Sequence, residues 1–166
     1  MKLIALDIDG TLLYADNIRL VLRPYLKEFL QFCFQNFDCV GLWTAGSRDY
    51  LNFIYDDILT PLLFEVNPQF KFDFIFSEEE CDNKYEKPLS KLSNENFNET
   101  NSLIVDDHIE SFQCNPDNGI LLPSFNPDDE FDDSLIEIIV YLRYLLRYFG
   151  ARKTFKGARK CFTVRM

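Results

Sequence analysis

The chain has 166 residues, 47% of them hydrophobic and 16% aromatic, and a formal net charge of -10. That length fits one domain of ordinary size with ample apolar content for a core, which excludes a disordered chain. The acidic balance argues against a nucleic-acid coat, because phosphate binding needs a basic surface. No apolar run is long enough to span a bilayer, and Asp7 falls too early for a secretory leader, so a soluble, intracellular protein is expected, with nucleus and cytoplasm both open. The five cysteines include no CxxC pair, so most read as small core residues in a reducing compartment.

Lys2–Ile8 opens the chain as a buried strand that ends in Asp7-Ile8-Asp9-Gly10-Thr11. Residues two apart in a strand point the same way, so Asp7 and Asp9 can share one side of the backbone, and Gly10 permits a sharp turn. Residues 14–22 read as a connection, with 17–22 as a short edge strand. Arg23-Pro24 opens a helix, since proline fits the first turn. Tyr25, Leu26, Phe29, Leu30 and Cys33 then recur at helical spacing as far as Asn36. Cys39–Trp43 is a second buried strand, stopping at Thr44. Ser47 is placed to cap a helix from Arg48 to Leu59, with Pro61 as its terminator.

The stretch from Leu62 to Tyr85 is less regular, with one strand within Phe72–Phe76 and an acidic run Glu78-Glu79-Glu80. Lys87-Pro88 introduces a short helix over 89–92, and the Asn-rich 93–101 is a loop. Ser102–Val105 is an apolar strand that also ends in two acids, Asp106 and Asp107. Residues 109–114 read as a loop or one helical turn, and Asn118-Gly119 as a turn before a short strand, Ile120–Leu122. The last helix is the clearest: Leu135, Ile138, Ile139, Leu142, Leu145, Leu146 and Phe149 share one face. Gly150 is its expected stop. The predicted organisation is a domain over 1–150 and a basic tail over 151–166, carrying Arg152, Lys153, Lys156, Arg159, Lys160 and Arg165. Such a tail reads as a solvated, partly disordered end, with an acidic partner as the alternative.

Strands alternating with helices imply a mainly parallel α/β sheet covered on both faces. Ligands of such sheets sit beyond the carboxyl ends of the strands. Three strands end in polar groups there: Asp7 and Asp9, Thr44, and Asp106 and Asp107. Converging carboxylates need a cation, and an all-oxygen set suits Mg2+. Lys87 supplies a second positive charge and Thr44 a donor, the parts that phosphoryl transfer requires. No GxxxxGK[ST] loop is present, so a side chain or water must attack, and an Asp carboxylate is a reasonable acceptor.

These segments resemble the haloacid dehalogenase superfamily and, within it, the FCP/SCP phosphatases, also called NLI-interacting-factor-like. Asp7, Asp9 and Thr11 match the DxDxT signature, Arg23-Pro24 with Glu28-Phe29-Leu30 the RPxxxEFL helix start, and Trp43-Thr44-Ala45 with Tyr50 the second motif. Tyr85-Glu86-Lys87-Pro88-Leu89 is similar to the lysine segment, and Ile104-Val105-Asp106-Asp107 with Pro116-Asp117-Asn118-Gly119-Ile120 to the last motif. The resemblance implies a three-layer Rossmann-like fold with only a small insertion and no large cap. It implies Asp7 as nucleophile, forming an aspartyl-phosphate, and Asp9 as general acid/base. Thr44 and Lys87 would bind the phosphoryl oxygens. Mg2+ would be held by Asp7, the main-chain carbonyl of Asp9, and Asp106 or Asp107. The implied substrate is phosphoserine or phosphothreonine in a phosphoprotein, the repetitive tail of the large RNA polymerase II subunit being the best-known case. Gly10 and Pro88 depart from the family pattern, which keeps a metabolite or nucleic-acid end as alternative substrates. A catalytically silent binding module is the third reading. Arg48, just past Thr44, is a candidate phosphate contact. His108 and Trp43 read as structural, Glu78–Glu80 as a solvated face, and the Phe70, Phe72, Phe74 and Phe76 series as core strand.

Overall fold

The computed structural model describes residues 1–152, 154–155 and 160–161. Six strands form one parallel sheet: β1 (Leu3–Leu6), β4 (Cys39–Trp43), β5 (Phe74–Phe76), β6 (Ser102–Asp106), β7 (Gly119–Leu121) and β8 (Lys160–Cys161). Their order is β5-β4-β1-β6-β7-β8. β1 therefore lies in the middle, with the chain winding outward from it in both directions, the switch point where α/β sheets bind ligands. The register pairs Leu6 with Leu42 on one side and with Val105 on the other. One residue further along, Asp7 is level with Trp43 and Asp106.

Alternation along the buried strands sorts side chains to two faces. Ile4 and Leu6 pack on one face with α1 (Leu26–Asn36) and α4 (Ser134–Arg152). Leu3 and Ala5 face the other way with Trp43, Leu89, Leu92, Ile104 and Phe112. That second face is covered by short 3-10 turns, Leu89–Leu92 and Ile109–Phe112. Gly41 on β4 is needed there: a Cβ would lie 2.2 Å from the Phe74 ring.

Several expectations change. The connection at 14–22 is an antiparallel hairpin of β2 (Leu13–Ala15) and β3 (Leu20–Leu22). Asp16 closes its turn by accepting from the Ile18 and Arg19 amides, an Asx turn that competes with a longer strand. Pro61 does not end its helix. α2 (Arg48–Phe53) passes through a π-helical stretch, Ile54–Leu59, into α3 (Thr60–Val66), where Pro61 sits in the first turn. Proline has no amide to donate, and the π-helical stretch before it, in which the Thr60 amide reaches the Tyr55 carbonyl, carries the helix past that gap.

Gly150 does not stop α4, which runs to Arg152. Glycine in a helix costs only about 1 kcal/mol, and flanking apolar contacts exceed that. Phe155, in the predicted tail, is buried, stacks on Phe149 with ring centroids 4.5 Å apart, and lies beside Phe37. Its amide donates to the Thr100 carbonyl. This part of the expected tail is packed against the core and is not solvated. Lys153, Lys156, Arg159 and Arg165 lie outside the described residues. Among the described residues, no helix is long and apolar enough to cross a membrane.

Candidate active site

The turn after β1 places the first acids. Asp7 continues the ladder by donating its amide to the Val105 carbonyl. The chain then reverses at Gly10, whose φ of +75° is left-handed. The turn is closed by the Leu12 amide on the Ile8 carbonyl and the Gly10 amide on the Leu13 carbonyl. Gly10 is needed for space as well: a Cβ would lie 2.2 Å from Asp107 Oδ2 and 2.6 Å from Ser124 Oγ. The departure from the family pattern at this position is thus explained by local packing.

Asp7 is only 6% exposed. Thr11 Oγ1 donates to its Oδ2 at 2.9 Å, and Lys87 Nζ donates to its Oδ1 at 2.7 Å. The same ammonium donates to Asp106 Oδ2 at 2.5 Å. Lys87, 1% exposed, therefore bridges the ends of β1 and β6. Burial pushes the Asp7 carboxyl up to about 8, Asp106 pushes the same way, and Lys87 opposes both. Burial alone would lower Lys87, but Asp106 and Asp7 together outweigh it and its affinity for a proton is raised. Asp106 Oδ1 is held by the His108 amide at 2.8 Å.

Asp9 sits apart from that pair. The Tyr50 hydroxyl donates to its Oδ1 and Thr44 Oγ1 to its Oδ2 at 3.5 Å. Tyr50 reaches it from the first turn of α2, which Ser47 caps by accepting from the Tyr50 amide. Burial raises the Asp9 carboxyl above its ordinary value, against the two hydroxyl donors. The Tyr50 hydroxyl is raised too, by burial and by the carboxylate it serves. Two acids of one loop thus have separate surroundings: Asp7 beside a fixed cation, Asp9 beside two neutral donors.

The cation question is answered by the oxygens. Asp7, Asp106 and Asp107 each present a carboxylate oxygen within 4.8 Å of the others. Lys87 pairs with two of these carboxylates, Asp7 and Asp106, but carries only one positive charge. Asp107 Oδ1 is buried with no hydrogen-bond partner, which is costly unless something else binds it. Burial raises the Asp107 carboxyl as well. A three-oxygen cluster with one unsatisfied oxygen fits a hard divalent ion such as Mg2+. The predicted set of Asp7, Asp106, Asp107, Thr44 and Lys87 is brought to one sheet edge, with Asp9 above it.

Arg48 is not a free phosphate contact. It donates to the Ile75 carbonyl and to both Glu80 carboxylate oxygens, with Glu79 3.4 Å away. Glu80 also closes a capping box with Ser77, so the acidic run is only partly a solvated face. Sequence reasoning missed the role of Arg23. This guanidinium, 2% exposed, donates to the carbonyls of Gly10, Thr11 and Pro123 and to Asp132. It ties the turn after β1 to the segment just before α4. Only its place beside Pro24 in the helix-start motif marked it. Between α3 and Lys87 the chain adds only β5, one 3-10 turn and an Asp82–Glu86 bridge, and among the described residues no cap covers the site.

A sequence profile described as NLI interacting factor-like phosphatase matches residues 2–152. A CTD phosphatase-like protein of Invertebrate iridescent virus 3 is 32% identical over 117 residues, which is 54% of this chain and 62% of the viral one. The ubiquitin-like domain-containing CTD phosphatase of Arabidopsis thaliana is 29% identical over 87% of this chain and 46% of its own length. The chain thus spans less than two thirds of these relatives. Among solved structures, fission yeast RNA polymerase II CTD phosphatase Fcp1 superposes with a TM-score of 0.55 at 15% identity, covering 93% of this chain and 52% of that one. The 3-deoxy-D-manno-octulosonate 8-phosphate phosphatase of Moraxella catarrhalis, solved with magnesium and phosphate, gives 0.54 at 13% identity over 93% and 94%. At these identities the likeness is one of fold.

Proposed function

Because the chain belongs to the NLI interacting factor-like phosphatase family, we propose that it is a Mg2+-dependent phosphatase acting on phosphoserine or phosphothreonine in polypeptides through Asp7. The observation that carries this reading is the unequal treatment of two neighbouring acids: Lys87 and Thr11 fix Asp7, while Tyr50 and Thr44 fix Asp9.

Asp7 attacks phosphorus, so a carboxylate O–P bond forms as the bond to the serine or threonine oxygen breaks. Its ammonium neighbour keeps the carboxylate oriented and offsets charge on the transferring group. Asp9, with its raised affinity for a proton, gives that proton to the departing alkoxide. The resulting Asp9 carboxylate then takes a proton from water, which attacks the phosphoryl group on Asp7 and frees inorganic phosphate. Thr44 and Lys87 serve in this reading as the donors to the phosphoryl oxygens. Asp7, Asp106 and Asp107 would hold Mg2+, together with the Asp9 carbonyl that the family pattern adds; the ion would offset the charge of the attacking carboxylate and of the phosphoryl oxygens.

The substrate class is supported by the uncovered site, which admits a side chain carried on a polymer. The alternative of a metabolite or nucleic-acid end rested on Gly10 and Pro88; Gly10 is accounted for by Asp107 and Ser124, and Pro88 keeps that alternative as the second reading. Turnover of an aryl phosphate and of phosphopeptides, with and without chelator, tests the proposal. Asp7→Asn should reduce both by at least about 10³-fold. Activity that survives Asp7→Asn, or that ignores the chelator, rejects it. No turnover at all would leave the binding-module reading.

A further inference from the structure

The cations around the site can be accounted for one by one. Lys87 is bound to Asp7 and Asp106, Arg23 to Asp132, Arg48 to Glu79 and Glu80, and Lys91 to Asp82. Lys84 differs. Among the described residues its ammonium has no carboxylate partner, and it lies 4.8 Å from the centre of the Tyr85 ring. The acids on either side are engaged elsewhere: Asp82 accepts from Lys91, and Glu86 accepts from Asn83.

The backbone that presents Lys84 is unusual. Asn83 and Lys84 are consecutive non-glycine residues with φ of +44° and +74°. Left-handed lysine is uncommon, and such strain persists only where surroundings enforce it. Here the Asp82–Glu86 bridge enforces it, each residue's amide donating a hydrogen bond to the other's carbonyl. The Tyr85 ring is itself braced by His108, edge to face at 5.3 Å. Tyr85 belongs to the segment that delivers Lys87, and the His108 amide holds Asp106. The Lys84–Tyr85–His108 stack therefore joins the two segments that build the catalytic centre.

We propose that Lys84, seated on Tyr85 and backed by His108, is an anion subsite beside the catalytic centre. It takes a second acidic group of the substrate polypeptide, a carboxylate or a phosphate. The inference rests on the polypeptide-phosphatase reading and names a feature of its substrate. Three peptide units separate Lys84 from Lys87, at most about 11 Å between Cα atoms. An extended peptide covers that in about three residues, so the acidic group lies within about three positions of the phosphoresidue.

Steady-state kinetics on four phosphoserine peptides test this, with Ala, Glu, Lys or a second phosphoserine two or three positions from the target. The Glu and phosphoserine peptides should show KM about three- to five-fold below the Ala peptide at low salt, at similar kcat, in line with an exposed ion pair. Added salt should shrink the ratio. Lys84→Ala should abolish it, Lys84→Glu invert it in favour of the Lys peptide, and Lys84→Arg retain it. A preference for one acidic peptide over the other assigns the subsite to carboxylate or to phosphate. Ratios unchanged in Lys84→Ala and Lys84→Glu, or no preference in the unaltered protein, overturn the proposal. Anisotropy titration of the same labelled peptides on Asp7→Asn reads the preference without turnover, so a failure of the phosphatase reading and an absent subsite give different results.

Discussion

Asp7 and Asp9 are two residues apart, yet the fold gives them opposite neighbours. Burial and Asp106 raise the Asp7 carboxyl to about 8, so a proton and Mg2+ should compete for it. The sign follows: below about pH 8 the ion competes with a proton, so Mg2+ affinity should rise from acid pH and level off near 8. Calorimetry in buffers of different ionisation enthalpy should record proton release on binding at pH 6.5. Release should be smaller in Asp7→Asn, where only the raised Asp107 carboxyl is left to give up a proton. For Asp9 the expected outcome is a split between half-reactions. With an aryl phosphate, whose leaving group needs little protonation, Asp9→Asn should transfer about one equivalent of phosphate and then stall, because the base for the second step is gone. Rapid-quench kinetics and the intact mass of the protein would register the stalled species.

The elements explain why these side chains meet. β1 lies between β4 and β6, and an in-step register brings three strand ends to one level. Gly41 lets β5 close on β4 through Phe74. Gly41→Ala should destabilise the fold by about 1–3 kcal/mol as the ring is displaced, measured by denaturant unfolding. Arg23 is the fastening between the turn after β1 and the segment just before α4. Arg23→Met removes the charge but keeps the bulk, leaving Asp132 and three carbonyls short of a donor. A loss of about 3–5 kcal/mol is expected. These joints were partly legible in advance. The strands, Ser47 as cap and the face of α4 follow from period and capping rules. The β2–β3 hairpin was missed because Leu13–Ala15 is too short to show a period. Pro61 and Gly150 misled because a local breaker rule cannot weigh the contacts that hold a helix on.

At the scale of the molecule, packing against the core continues past residue 150 at Phe155. Phe155 fills space between Phe37 and Phe149 beneath the sheet. Phe155→Ala should lower stability by about 3–5 kcal/mol, whereas a solvated tail would show no change. The acid cluster makes a second global prediction. Mg2+ should raise the melting temperature, since it binds only the folded arrangement, and Asp106→Asn with Asp107→Asn should remove most of that shift.

The amino-acid sequence by itself determined which groups were available. Apolar strands ending in Asp7, Thr44 and Asp106, with Lys87 after a loop, specified a parallel sheet with an oxygen-rich edge, because hydrophobic pattern and strand ends are local properties. Which partners each group meets was decided only by the tertiary structure. Lys87 meets Asp7 across 80 residues, and Tyr50 meets Asp9 across 41. Arg23 is spent as a strut, Arg48 on Glu80, and Lys84 is left over. Charge partners depend on side-chain direction and burial in three dimensions, and no local pattern in the chain encodes either.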